Sequence, residues 1–87
     1  HYEDWICVVK DGKWGYLYDN GDVRIEPIWD FCRRNSEDWV WVLKDGKCGY
    51  LFDNSEVRIP IVFDLAALYD GGVCVELDGK EFIIKEA

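Results

Sequence analysis

Val8-Val9-Lys10-Asp11-Gly12-Lys13-Trp14-Gly15-Tyr16-Leu17 returns 34 positions later as Val42-Leu43-Lys44-Asp45-Gly46-Lys47-Cys48-Gly49-Tyr50-Leu51. Each copy sets an Asp-Gly pair between two runs of alternating apolar residues. A type I′ turn needs positive φ at both central residues, which Asp and Gly supply, so the pair predicts a tight hairpin. A second turn follows at Asn20-Gly21. Its counterpart is Asn54-Ser55, where Ser tolerates positive φ less well than Gly and a looser turn is expected. The likeness extends from Glu3 against Glu37 to Phe31 against Leu65, with 17 identities in 29 pairs. A third, partial copy covers 72–84, 33 positions after the second. Periods of this length mark repeat architectures.

Each full copy reads as three strands, in the first copy residues 5–10, 13–19 and 23–28. Pro27 and Pro60 cannot donate to a ladder, so the third strands should lie at a sheet edge or end near the Pro. Residues 32–37 and 66–71 read as connectors, with one helical turn over 65–69. The predicted fold is all-β. Tandem three-stranded antiparallel meanders would form a small curled sheet, a barrel or a short solenoid of about eight strands. One domain is expected over 1–87, with units at about 3–36, 37–71 and a partial unit 72–87. Two units plus a closing hairpin suggest a complete domain.

The repeated Lys-Asp-Gly-Lys-Trp-Gly-Tyr, in phase with Asp19-Asn20-Gly21, Val23-Arg24-Ile25 and Ile28-Trp29-Asp30, resembles the WG-repeat family of bacterial β-repeat proteins. Residues 3–65 carry the resemblance well and 72–86 weakly. The second copy departs at the name-giving Trp, which is Cys48, and the third has Glu81-Phe82 in place of Trp-Gly. The resemblance implies a β-rich fold and says little about activity.

A two-residue turn sets the register and therefore the faces. One face carries Ile6, Val8, Gly15 and Leu17, then Val40, Val42, Gly49 and Leu51, then Val73, Val75, Phe82 and Ile84. It is aliphatic throughout and is expected to be the core, with Phe82 filling space that the glycines leave. The other face carries Trp5, Trp14, Tyr16 and Tyr18, then Trp39, Trp41, Tyr50 and Phe52. These eight rings are the candidate binding face. Stacked rings on a sheet bind sugars, cations or a protein partner, and the same rings equally suit a second packed layer. In the third copy this face turns polar, which suggests a cap at the C-terminal end.

Eighteen acidic against ten basic side chains leave a net charge of −8. Each half of the chain, 1–43 and 44–87, holds nine acidic and five basic residues, so the charge is repeated with the motif. An acidic chain is a poor nucleic-acid partner. No apolar run is long enough for a spanning helix and no signal-peptide pattern is visible. Membrane contact is therefore not expected, and a cytoplasmic location is. Oligomeric state is open.

The four cysteines, at 7, 32, 48 and 74, show no zinc spacing. Cys7, Cys48 and Cys74 replace Trp of other copies and read as buried packing residues. Cys32, beside Arg33 and Arg34, sits where a thiolate would be favoured. The chain has no Thr, two Ser and one His at position 1, so a nucleophile has no evident base and no enzyme, metal or cofactor is expected. Asp19/Asp22 and Asp53/Glu56 read as turn chemistry, with Arg24 and Arg58 pairing to them. The reading is a non-catalytic protein-binding module, in one form a small acidic inhibitor or immunity protein for a basic partner. The alternatives are a carbohydrate or cell-wall ligand module using the rings, and a structural segment of a longer repeat protein.

Overall fold

In a computed structural model of the chain, residues 5–36, 39–69 and 72–85 are described. The repeat residues Glu3, Asp4, Glu37 and Asp38 lie outside them, as do parts of the expected unit boundaries. Ten strands run through the described residues: β1 (Ile6–Lys10), β2 (Lys13–Leu17), β3 (Val23–Trp29), β4 (Phe31–Ser36), β5 (Trp39–Lys44), β6 (Lys47–Leu51), β7 (Val57–Phe63), β8 (Leu65–Tyr69), β9 (Gly72–Leu77) and β10 (Lys80–Ile84). They form three antiparallel sheets, β1-β2-β3, β4-β5-β6-β7 and β8-β9-β10. No closed barrel forms among the described residues.

The hairpins have the predicted register. Val8 faces Gly15, Val42 faces Gly49 and Val75 faces Phe82. Asp11, Asp45 and Asp78 take φ of 52–54°, and each is followed by a glycine with φ of 77–79°. This is the positive-φ pair that a type I′ turn demands. At the second turn, Asn20 Oδ1 accepts from the Asp22 amide at 2.9 Å and Asn54 Oδ1 from the Glu56 amide at 3.1 Å. Ser55 adopts φ 81° and keeps the same backbone bonds as Gly21. The expected loosening is absent, because the Asn side chain closes the turn from within. Pro27 and Pro60 lie in β3 and β7, which are edge strands as expected.

The expected connectors are strands, β4 and β8, and the expected helical turn over 65–69 is part of β8. Pairing explains this. Phe31, Arg33 and Arg34 register with Leu43, Trp41 and Val40, and Ala66 and Leu68 with Val75 and Val73. An edge beside each hairpin thus takes up the segment and satisfies its backbone. The chain passes from sheet to sheet at Asp30 and Asp64, inside the expected units.

The sheets pack face to face in a fixed order. One core cluster joins Ile25, Trp29, Trp5, Trp14 and Tyr16 of the first sheet to Cys32, Val40, Val42, Leu51 and Ile61 of the second. The next joins Tyr50, Ile59, Trp39, Trp41 and Phe63 of the second sheet to Val73, Val75, Ala66, Leu68 and Ile84 of the third. The aromatic face of each sheet therefore lies on the aliphatic face of the next. The molecule measures 40 × 28 × 16 Å, extended rather than round.

The aliphatic face is not uniformly core. Val40, Val42, Leu51, Val73 and Val75 are buried, whereas Ile6 and Phe82 are exposed. The glycines at the equivalent position of the other two copies leave no empty space for a side chain to fill. A Cβ on Gly15 would stand 2.4 Å from the Ile25 carbonyl oxygen, and one on Gly49 2.5 Å from that of Ile59. The bulged third strand crosses there at backbone contact. Among the described residues the third sheet has no such strand beside β10, and Phe82 is left exposed.

Candidate functional site

The hairpin register places Trp5, Trp14, Tyr16 and Tyr18 on one face of the first sheet, and Trp39, Trp41, Tyr50 and Phe52 on the matching face of the second. All eight are half-buried or buried, and Tyr50 is fully enclosed. Trp5 meets Tyr16 edge to face with centroids 5.1 Å apart, and Trp39 meets Tyr50 likewise at 5.3 Å. Trp14, Phe31 and Trp41 form a chain of rings across the first sheet boundary, with centroids 4.7 and 6.1 Å apart.

The two repeated arginines enter this layer. The Arg24 guanidinium lies 4.0 Å from both the Trp5 and Tyr18 ring centres. Arg58 lies 3.7 Å from Trp39 and 4.5 Å from Phe52. Arg34 reaches the Trp5 ring as well, at 4.5 Å. Ring stacking thus replaces the expected anchoring of Arg24 by turn carboxylates. A guanidinium suits such a slot because it is planar and weakly hydrated. Each full repeat supplies its own cation, so these slots are already occupied.

Asp30 and Asp64 hold the sheets together. Lys13 donates to Asp30 Oδ1 across the first corner, while Asp30 Oδ2 accepts from the Asp45 amide of the next hairpin turn at 2.9 Å. Lys47, Asp64 and the Asp78 amide repeat the arrangement, the last at 3.1 Å. The hydrogen bond from each lysine, then that from the turn amide, keeps both carboxyls below the usual carboxylate range. Sequence reasoning quoted Asp30 within its motif without giving it a role. The joint recurrence of Lys13/Asp30 and Lys47/Asp64 was the available signal.

A cleft of about 420 Å³ opens between the second and third sheets, lined by Arg33, Asn35, Trp41, Tyr50 and Ala66 among others. Its polar groups are largely committed. Asn35 donates to the Tyr50 hydroxyl at 2.7 Å and Trp41 Nε1 to the Ala66 carbonyl at 3.1 Å. Burial raises the Tyr50 pKa above its ordinary value.

The cysteines are all free thiols. Cys48 is buried as expected and donates to the Phe63 carbonyl at 3.4 Å. Cys7 is exposed on the edge strand β1, and Cys74 is only half-buried, on the face of the third sheet turned away from the second. Cys32 reverses its expectation. It is buried in β4, and burial pushes its thiol up to about 12, so the neighbouring arginines do not make it a thiolate. Among the described residues, no three His, Cys, Asp or Glu side chains converge as metal ligands. Nor is any helix long and apolar enough to cross a membrane.

Residues 14–48 match the model of the family described as WG containing repeat. The matched stretch begins at Trp14 in β2, passes the Asp30 corner and ends at Cys48 in β6. Neither the curated proteins nor the solved structures contain a match to this chain.

Proposed function

We propose, from the premise that this chain belongs to the WG-repeat family, that it is a non-catalytic protein-binding module. One observation carries the reading. The rings of the candidate platform are packed between sheets around the chain's own arginines, while apolar side chains remain exposed on the outermost sheets. Ile6 and Val23 are exposed on the first, and Leu65, Tyr69, Phe82 and Ile83 on the third. Leu65, Ala67, Cys74 and Ile83 share one face of the third sheet with Glu76 and Glu81, and apolar surface rimmed by charge is characteristic of protein contact sites. The net charge of −8 favours a basic partner, through faster encounter more than through tighter final contact.

Affinity capture from the native host, with the wild-type chain beside a Leu65→Asp/Ile83→Asp variant, tests this. A partner retained by the wild type, released by salt and lost with the variant supports the reading. Identical captures by both chains would remove it.

A further inference from the structure

The cleft between the second and third sheets is walled by β4, β5 and β6 on one side and by β8 on the other. Its volume of about 420 Å³ lies in the range of small-molecule sites. The chain carries 18 acidic side chains, yet none of the residues lining this cleft is Asp or Glu.

Arg33 is the charged group of the cleft. The other three arginines, Arg24, Arg34 and Arg58, all stack on rings of their own chain. Arg33 lies in register with Trp41 but has neither a ring beneath it nor a carboxylate beside it among the described residues. A second donor stands near it. Asn35 Nδ2 and the Leu68 amide both donate to the Tyr50 hydroxyl. With its oxygen accepting twice, that hydroxyl keeps its proton for a third partner. Burial raises the Tyr50 pKa, and the two donors and the Arg33 charge oppose the rise, so Arg33 acts on this same hydroxyl.

The first junction fills the corresponding place from within. Cys32 and Arg34 stand there in the positions of Ala66 and Leu68, 34 residues earlier. The Arg34 guanidinium reaches the Trp5 ring at 4.5 Å, while its amide bonds the Tyr16 hydroxyl as the Leu68 amide bonds Tyr50. At the second junction Leu68 brings no guanidinium. Trp41 is pinned to β8 by its indole N–H, which donates to the Ala66 carbonyl at 3.1 Å. An apolar wall therefore faces one uncompensated positive charge.

We propose that this cleft binds a small organic monocarboxylate, with the carboxylate on Arg33 and the Tyr50 hydroxyl and the apolar body against Trp41, Ala66 and Leu68. A carboxylate matches the guanidinium fork with two parallel hydrogen bonds, and a single cation calls for a single negative charge. Inorganic phosphate has no apolar part and would leave the β8 wall unused. The site is separate from the protein contacts proposed for the outermost sheets.

Heteronuclear NMR of the full chain tests the proposal, with 3-phenylpropionate, its neutral amide, acetate and inorganic phosphate as probes. 3-Phenylpropionate should move the Trp41 indole N–H and Asn35 side-chain amide signals saturably. The neutral amide should bind about tenfold or more weakly, and Arg33→Gln should weaken the acid to the same degree, because the charge-assisted fork is lost. Arg33→Lys keeps the charge without the fork and should fall between. Acetate, which lacks the apolar body, should bind less tightly than 3-phenylpropionate. Arg33 is exposed, and circular dichroism verifies that the variants fold. No saturable shift from 3-phenylpropionate at millimolar concentration overturns the proposal. So does equal binding of the acid and its amide, binding unchanged by Arg33→Gln, or phosphate that binds at least as tightly as the acid.

Discussion

Ile6 and Val40 hold one position in one repeated motif, in hairpins of identical register, yet Ile6 is 43% exposed and Val40 0%. Leu17 and Leu51 differ in the same sense, half-buried against buried. The second sheet has a sheet on each side and the first has one on a single side. Burial in this repeat is therefore a property of place in the stack. The motif supplies a face that is able to be buried, and the neighbouring sheet decides whether it is.

That contrast is open to measurement. The largest effect is expected from Leu51→Ala, which should cost about 3 kcal/mol in urea denaturation, against about 1 kcal/mol for Leu17→Ala. Equal losses would break the comparison. Gly49→Ala should cost about 2–3 kcal/mol, because the new methyl meets strand backbone that has no room to yield. Gly15→Ala should match it, since both glycines lie under a crossing strand whatever covers the sheet. A large difference between the two would show that the crossing is not equivalent.

The corner clips should yield a pH signature of more modest size. The folded pKa values of Asp30 and Asp64 are lowered by their lysines. Their contribution is present above the unfolded carboxylate pKa and is lost as pH falls through the lower folded value. Thermal stability should therefore decline below about pH 4, less steeply in Asp30→Asn and Asp64→Asn. The lysine partners are shifted upward, so their share persists below the unfolded lysine pKa and fades only as pH rises beyond about 10.5. The smallest effect is a gain. Ser55→Gly should stabilise by about 0.5–1 kcal/mol by relieving φ 81°, whereas Gly21 in the first copy already has that freedom. No gain at Ser55 would mean that the Asn54 bond outweighs the strain.

Much of the fold was legible in the residues. Asp-Gly turns, alternation and the 34-residue period are local signals, and local geometry fixes hairpin register without outside help. The expected connectors 32–37 and 66–71 and the helical turn over 65–69 were misread where β4 and β8 run, because their pattern lacks clean alternation. Phe31-Cys32-Arg33-Arg34-Asn35-Ser36 becomes a strand when the edge of β5 offers it a ladder. Leu65-Ala66-Ala67-Leu68-Tyr69 carries good helix formers, and the free edge of β9 overrides that preference. The eight candidate rings were assigned to the right face. One occupant, Arg24, was assigned to its turn, because arginine next to acidic residues in sequence suggests an ion pair. The slot between rings exists only once the third strand folds back over the first hairpin.

Sequence alone determined the hairpins, their register, which residues share a face and how often the unit recurs. Each of these depends on φ preferences and side-chain periodicity within a few residues. Tertiary structure decided which faces are covered, where one sheet ends and the next begins, and what fills the aromatic layer. Those depend on contacts between segments 15 or more residues apart, as with Lys13 and Asp30 or Trp41 and Ala66. Identical motifs carry no mark of whether a neighbour lies above or below them, so a face exposed at one end of the stack and buried in its middle reads the same in sequence.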